Sequence, residues 1–333
     1  MSAFPQAASA RDRFVLDRRG PRARLDPWGR PRTTLEHERT ADGRVAPVLT
    51  VFLVGRECPW RCTMCDLWRH TLDGDTPAGA IPRQVADAWA GRPAGCTTVK
   101  LYNAGSFFDP HAVPDDDYEL IVDALSGARH VIVESHPSLI GPRTTRLSHL
   151  LQGRGARSEA ATLEVAMGLE TCHPEALERL NKRMAGADFA RGAETLRQHG
   201  IALRVFLLVG PPFVPAAEQD EWLLRSVDVA HAAGATAISL IPTRGGNGTL
   251  EALADDEAFV EPALADLERS QALALARLAG SGTRILADLW DLQRFVRCPS
   301  CAVEREARLQ TMNRTQRLAP PVVCDECGAG QVP

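Results

Sequence analysis

The chain has 333 residues, is 44% hydrophobic and 24% charged, and carries a formal net charge of −4, the balance of a globular protein large enough to bury an ordinary core. It contains no run of about 18 apolar residues and no apolar leader, so a membrane span is not expected and a cytoplasmic location is. The charge is unevenly spread: residues 1–45 hold ten arginines against six acids, and Lys100 and Lys182 are the only lysines.

The arginine-rich segment 1–47 reads either as a solvated, partly disordered extension or as an arm that touches phosphate. From Val48 the pattern alternates. Strands are expected over 48–54, 97–103, 130–135, 161–170, 201–210 and 235–243. Helices are expected over 82–91, opened by Pro82 and closed by Gly91, and over 115–127, with acids in its first turn. Further helices are expected over 174–183, 188–200, 219–234 and 261–280. Six β–α alternations imply a parallel sheet, either open and doubly wound or curled into an incomplete (β/α)6 barrel, and periodicity does not separate the two. The alternation stops near Ala287, which divides a core over 48–287 from a tail over 288–333.

Seven of the nine cysteines are clustered, and in a reducing compartment clusters point to metal before disulfides. Cys96 and Cys172 stand alone and read as small buried apolar side chains. Cys58, Cys62 and Cys65 form a C-x3-C-x2-C triplet on the loop after the first strand, the end of a parallel sheet where ligands sit. Three thiolates close a zinc site only with a fourth ligand, for which His70 is the neighbouring candidate. They can instead hold three irons of a [4Fe–4S] cubane and leave the fourth open to a ligand.

The triplet in this position resembles the radical S-adenosylmethionine (SAM) superfamily, over roughly residues 48–260. The resemblance implies a partial (β/α)6 TIM-like barrel with a C-terminal cysteine-ribbon extension. It implies a cluster on Cys58, Cys62 and Cys65 whose open iron is chelated by SAM. It also implies reductive cleavage of SAM to a 5′-deoxyadenosyl radical that takes a hydrogen atom from substrate, with a reductase or a flavodoxin or ferredoxin as electron donor. The turn Asn103-Ala104-Gly105-Ser106 stands where the superfamily has a Gly-Gly-Glu-like turn whose backbone receives the SAM amino group. Gly105 permits close approach, and Ser106 offers a hydroxyl where an acid is commoner. Glu134 and Glu170, at strand ends, are candidates for SAM or substrate contact. Arg204, in the fifth strand, needs an anion, for which the SAM carboxylate is one candidate. Met64 stands where an aromatic is common and would pack against adenine.

The segments CPWRCTMCDLW, LYNAGSFFDP, VIVESHP, GLET followed by LNKRM, and FLLVGPPF resemble the branch with the Elongator-type enzymes and the radical SAM subunit of archaeosine synthase. This makes a modified nucleoside or a tRNA base the expected substrate. The alternatives are a tailoring or maturation enzyme acting on a peptide or small metabolite, and a non-catalytic iron–sulfur protein.

Cys298, Cys301, Cys324 and Cys327 form two C-x2-C pairs, expected to hold structural zinc or an auxiliary [4Fe–4S] cluster. Between them, Arg305, Arg308, Arg314 and Arg317 with Asn313 and Gln316 read either as a nucleic-acid-binding ribbon or as a solvated helix.

Overall fold

The computed structural model describes residues 4–153 and 160–328; the ends of both expected tails, 1–3 and 329–333, lie outside the described residues. Helix α1 (Ala8–Leu16) is followed by strand β1 (Arg32–Arg39), which pairs antiparallel with β2 (Val45–Phe52). Then come α2 (Ala80–Ala90), β3 (Thr98–Tyr102), α3 (Asp117–Ala124), β4 (His130–Ser135), α4 (Pro142–Gln152) and β5 (Thr162–Glu170). The second half runs α5 (Pro174–Arg179), α6 (Gly186–Gln198), β6 (Ala202–Val209), α7 (Gln219–Ala232), β7 (Ala235–Pro242), α8 (Thr249–Asp255), α9 (Leu264–Arg277), β8 (Arg284–Ala287) and α10 (Ala302–Thr315). The strands lie in one sheet in sequence order, parallel from β2 to β8. No helix among the described residues is long and apolar enough to cross a membrane.

All six expected strands are present, and two more flank them. In a flat sheet β1 and β8 would stand about 34 Å apart, seven spacings of about 4.8 Å. Instead Glu38 of β1 lies 3.6 Å from Arg284 of β8, and Arg284 donates to the Arg39 carbonyl at 3.1 Å. The sheet therefore curls into a half-barrel, which decides the choice the periodicity left open.

The two faces of the sheet differ in chemistry. Val99, Leu101, Val131, Val133, Val165, Met167, Val205 and Leu207 point outward into the main apolar core beneath the helices. The inward face near the N-terminal strand ends carries charge. Arg204, 1% exposed, donates to Glu164 at 2.5 Å and pairs with Glu38; Lys100 sits 2.8 Å from both Glu36 and Glu38; Arg284 meets Glu164 at 3.3 Å. Three cations and three carboxylates from β1, β3, β5, β6 and β8 thus satisfy one another as a floor. This corrects the expectation for Arg204: its anions are Glu164 and Glu38, and its place early in β6 puts it at the opposite end of the barrel from the triplet loop.

The arginine-rich segment is not a separate solvated arm. Phe4 and Phe14 pack with Leu250, Leu253 and Phe259. Arg19 and Arg22 pair with Glu57 at 2.8 and 2.7 Å, and buried Arg11 donates to Asn181. Nor is the tail a solvated or basic ribbon throughout. Arg305 and Arg308 pair with Glu268 of α9. The Asn313 amide exchanges two hydrogen bonds with the backbone of Ala287, and the Gln316 amide does the same with Ile285. These two side chains cap the free edge of β8, where a further strand would otherwise pair.

Glu164→Ala is expected to destabilise the fold by about 3–5 kcal/mol, because it leaves Arg204 buried beside an emptied partner. A shift of the urea midpoint measures this. Burial alone would raise the carboxyls of Glu36, Glu38 and Glu164, but Lys100 and Arg204 outweigh it and hold all three below the ordinary 4.5. Their contribution is therefore present above that pH and lost as pH falls beneath it, so wild type loses stability on acidification more steeply than the variant.

Candidate active site

The triplet loop leaves β2 at the C-terminal mouth of the half-barrel and is held by segments distant in sequence. Thr63 donates its backbone N–H to Leu180 O at 2.9 Å and its hydroxyl to Arg179 O at 2.9 Å. Asn247 donates to Thr63 O and Cys65 O, at 2.8 and 3.4 Å. Asn181, fully buried, donates to Arg61 O at 2.8 Å while also bonding Arg11 and Asp12 of the N-terminal segment. Asn181 has φ 57°, a left-handed conformation that asparagine tolerates better than most residues.

The three sulfurs do not gather around a single ion. Among the described residues, the one group of three or more ligand atoms within 4.8 Å of one another is Cys298, Cys301, Cys324 and Cys327. The zinc alternative with His70 is not formed, and His70 is exposed on the turn Leu67–His70. A cubane needs each thiolate on a different iron, and therefore wider spacing than a single ion allows. Burial pushes Cys65 up to about 12, and burial together with Cys58 and Cys65 pushes Cys62 well above an ordinary thiol. Thiols buried in this way are poor thiolates unless a cationic group joins them.

The turn after β3 comes up against the triplet. A Cβ on Gly105 would lie 3.3 Å from Cys58 Cβ, so glycine allows the two loops to touch. Asn103 is fully buried, and neither its amide nitrogen nor its oxygen has a partner; Glu134 Oε1 is likewise unpartnered. Unpaired buried groups of this kind fit a polar ligand between the turn and the sulfurs. Burial pushes Glu134 up to about 7, against the pull of the Asn103, Gly105 and Ala104 N–H groups. Ser106 departs from its expected role. Its hydroxyl pairs with Ser135 Oγ at 2.9 Å and accepts the His136 N–H at 3.0 Å, tying the β3 end to the β4 end.

Glu170, at the end of β5 with φ 66°, receives a 2.5 Å hydrogen bond from Lys182, which also donates to Gly168 O. A Cβ on Gly168 would overlap this pair. Lys182 was not singled out from sequence, though a signal was available: in a chain that uses arginine almost everywhere, both lysines are buried in ion pairs. Met64, half-buried, packs against the cluster of Phe4, Phe14 and Leu250. Cys96 is buried as expected, and Cys172 is half-buried.

Deeper on the inner face, Phe52 packs on Trp290 (4.7 Å between centroids) and Tyr102 meets Phe206 edge-on at 6.2 Å. All four are half-buried, between the mouth and the ionic floor.

Glu134 gives a pH signature. Its carboxyl resists ionisation in the native state, so wild type loses stability as pH rises from 4.5 to about 7. Glu134→Gln does not ionise, so its stability relative to wild type is expected to rise by about 3 kcal/mol across that window. Denaturant titrations at the two pH values check this.

No protein-family profile matches the chain. It is 25% identical over 319 residues to archaeosine synthase subunit beta of Methanosarcina acetivorans, covering 90% of this chain and 88% of that one. A protein of the same name from Thermococcus kodakarensis is 25% identical over 131 residues, 38% of each chain. Among solved structures, the radical S-adenosylmethionine methyltransferase TsrM of Kitasatospora setae, with tryptophan and the SAM analogue aza-SAM bound, matches in fold with a TM-score of 0.50. That match has 13% identity over 83% of this chain and 62% of TsrM. With the triplet at the mouth of a half-barrel, the chain shares the fold of a radical SAM enzyme and is similar over nearly its whole length to a protein named archaeosine synthase subunit beta.

Proposed function

We propose that the chain is a radical SAM enzyme whose substrate is a modified nucleoside, in tRNA, with Cys58, Cys62 and Cys65 as the ligands of a [4Fe–4S] cluster. The observation that carries this is the triplet loop meeting the turn that holds unpartnered Asn103, with Glu134 Oε1, near the end of β4, unpartnered as well. When bound, the cluster and SAM supply reductive C–S cleavage and a 5′-deoxyadenosyl radical, with the electron from a flavodoxin, ferredoxin or reductase.

The chain's own residues orient and shield that chemistry. The turn 103–106, held by Glu134 below and by Ser106 beside it, presents backbone and amide groups to the SAM amino end. Against burial and the neighbouring cysteines, the positive charge of Lys182 lowers the Cys62 thiol. Asn181 and Asn247 fix the triplet loop, and the N-terminal segment closes over it. The ionic floor seals the far end of the barrel, so substrate enters at the mouth. The half-buried aromatic pairs Phe52–Trp290 and Tyr102–Phe206 offer flat surfaces on which a base can stack. The relatives named archaeosine synthase subunit beta support a nucleoside over a peptide or small metabolite.

The C-terminal cysteines hold a single tetrahedral zinc ion. For Zn–S bonds of about 2.3 Å, a tetrahedron sets its sulfurs about 3.8 Å apart. Cys298 to Cys324 and Cys301 to Cys327 are each 3.8 Å, closer than four irons of a cubane would permit.

Anaerobic reconstitution tests the proposal. Wild type is expected to gain the broad visible absorption of a cubane and to release 5′-deoxyadenosine on reduction with SAM, and Cys62→Ala to lose both. A tRNA complex that weakens with added salt, with deuterium passing from labelled nucleoside into 5′-deoxyadenosine, supports the substrate. Deuterium transfer from a peptide and none from any nucleoside would overturn it.

A further inference from the structure

Helix α10 is poorly held by its own apolar contacts. Of its 14 residues only Arg305, Leu309 and Met312 are buried. Val303, Leu318 and Val323 of the tail are exposed. Two apolar side chains fall well short of the entropy lost in ordering a helix of this length. Yet this helix performs the one task that leaves β8 without an open edge, through the amides of Asn313 and Gln316 on Ala287 and Ile285. It also meets β1, where Arg39 donates to Arg314 O at 3.0 Å. The helix thus spans the seam between the two edge strands.

Its other end is the cysteine centre. Cys301 immediately precedes Ala302, and Arg305, one turn into the helix, donates to Cys301 Sγ at 3.2 Å and reaches Cys327 Sγ at 4.0 Å. The same guanidinium pairs with buried Glu268 of α9, which also takes Arg308 at 2.7 Å. A cation-bearing second layer around thiolates orients the ligands and offsets their charge. Sulfurs, Arg305, Glu268 and α9 therefore form one connected unit, with the β8 caps at the far end of the helix.

We infer that the four-cysteine centre is a clasp on the barrel seam: metal bound by Cys298, Cys301, Cys324 and Cys327 holds α10 in place, and α10 in turn closes the β8 edge and its junction with β1. This rests on the zinc reading of the site. Loss of the metal frees the helix, exposes the Ile285 and Ala287 edge, and loosens the closed end of the barrel without touching the triplet loop.

The test is hydrogen exchange on the full-length reconstituted protein with zinc, with and without chelator, beside Cys324→Ser and the double variant Asn313→Ala/Gln316→Ala. Chelated wild type and Cys324→Ser are expected to lose zinc and to exchange about tenfold faster at the Ile285 and Ala287 amides, while amides of β3 to β5 keep their protection. The double variant is expected to keep its zinc and still exchange faster at those two amides. Should Cys324→Ser fail to fold, graded chelation of wild type gives the same reading. Zinc-free protein with unchanged protection at Ile285 and Ala287 overturns the clasp. Iron found at this centre in protein lacking the triplet cysteines overturns the zinc reading alone, and the exchange at the two amides then judges the clasp by itself.

Discussion

The architecture depends on a closed set of ion pairs at the floor of the half-barrel. Lys100, Arg204 and Arg284, all buried, face Glu36, Glu38 and Glu164 from five strands. Buried charges are tolerated only when paired, and these pairs form only if the sheet curls far enough for its first and last strands to meet. The requirement sets the curvature and the register of strands that share no backbone hydrogen bonds. It also explains why β1, whose sequence RTTLEHER looks like a loop, is a strand: its acids are the counter-charges of the barrel interior.

With one end sealed by charge, chemistry is left to the other. The mouth has the opposite character, with groups held in place but not satisfied. Asn103 and Glu134 keep unpartnered atoms, and the triplet sulfurs sit where burial makes thiolates costly without a cation. Around them lie firm supports: the Ser106–Ser135 junction, the Glu170–Lys182 pair, and the Asn181 and Asn247 bonds to the triplet loop. The division between a satisfied floor and an unsatisfied mouth is what a site awaiting a polar, charged ligand requires.

The legibility of each residue followed the range of the interaction that decides it. The outward strand positions were readable, because a run such as VFLLV in β6 is apolar wherever it lies. The triplet was readable because the spacing of its ligands is local. Arg204 was readable only as a buried charge in need of an anion; which anion depended on β1 and β5. Helix α4 was missed because its sequence, PRTTRLSHLLQ, is polar on all but one narrow face, where Leu147 and Leu151 are buried one turn apart. The amides Asn313 and Gln316 looked suited to nucleic acid because an amide side chain reads bases and strand edges with the same donor and acceptor pair.

By itself the sequence determined the alternation of elements and the three-sulfur and four-sulfur groups, since ligand spacing and hydrophobic period are properties of neighbours along the chain. Only the tertiary structure decided that the sheet closes, that the arginine-rich segment packs over the triplet loop, that Arg204 meets Glu38 and Glu164 while Lys182 meets Glu170, and that the tail caps β8. Each of these is a pairing between groups well separated along the chain, and a charge or an amide carries no mark of its partner until the fold brings the two together.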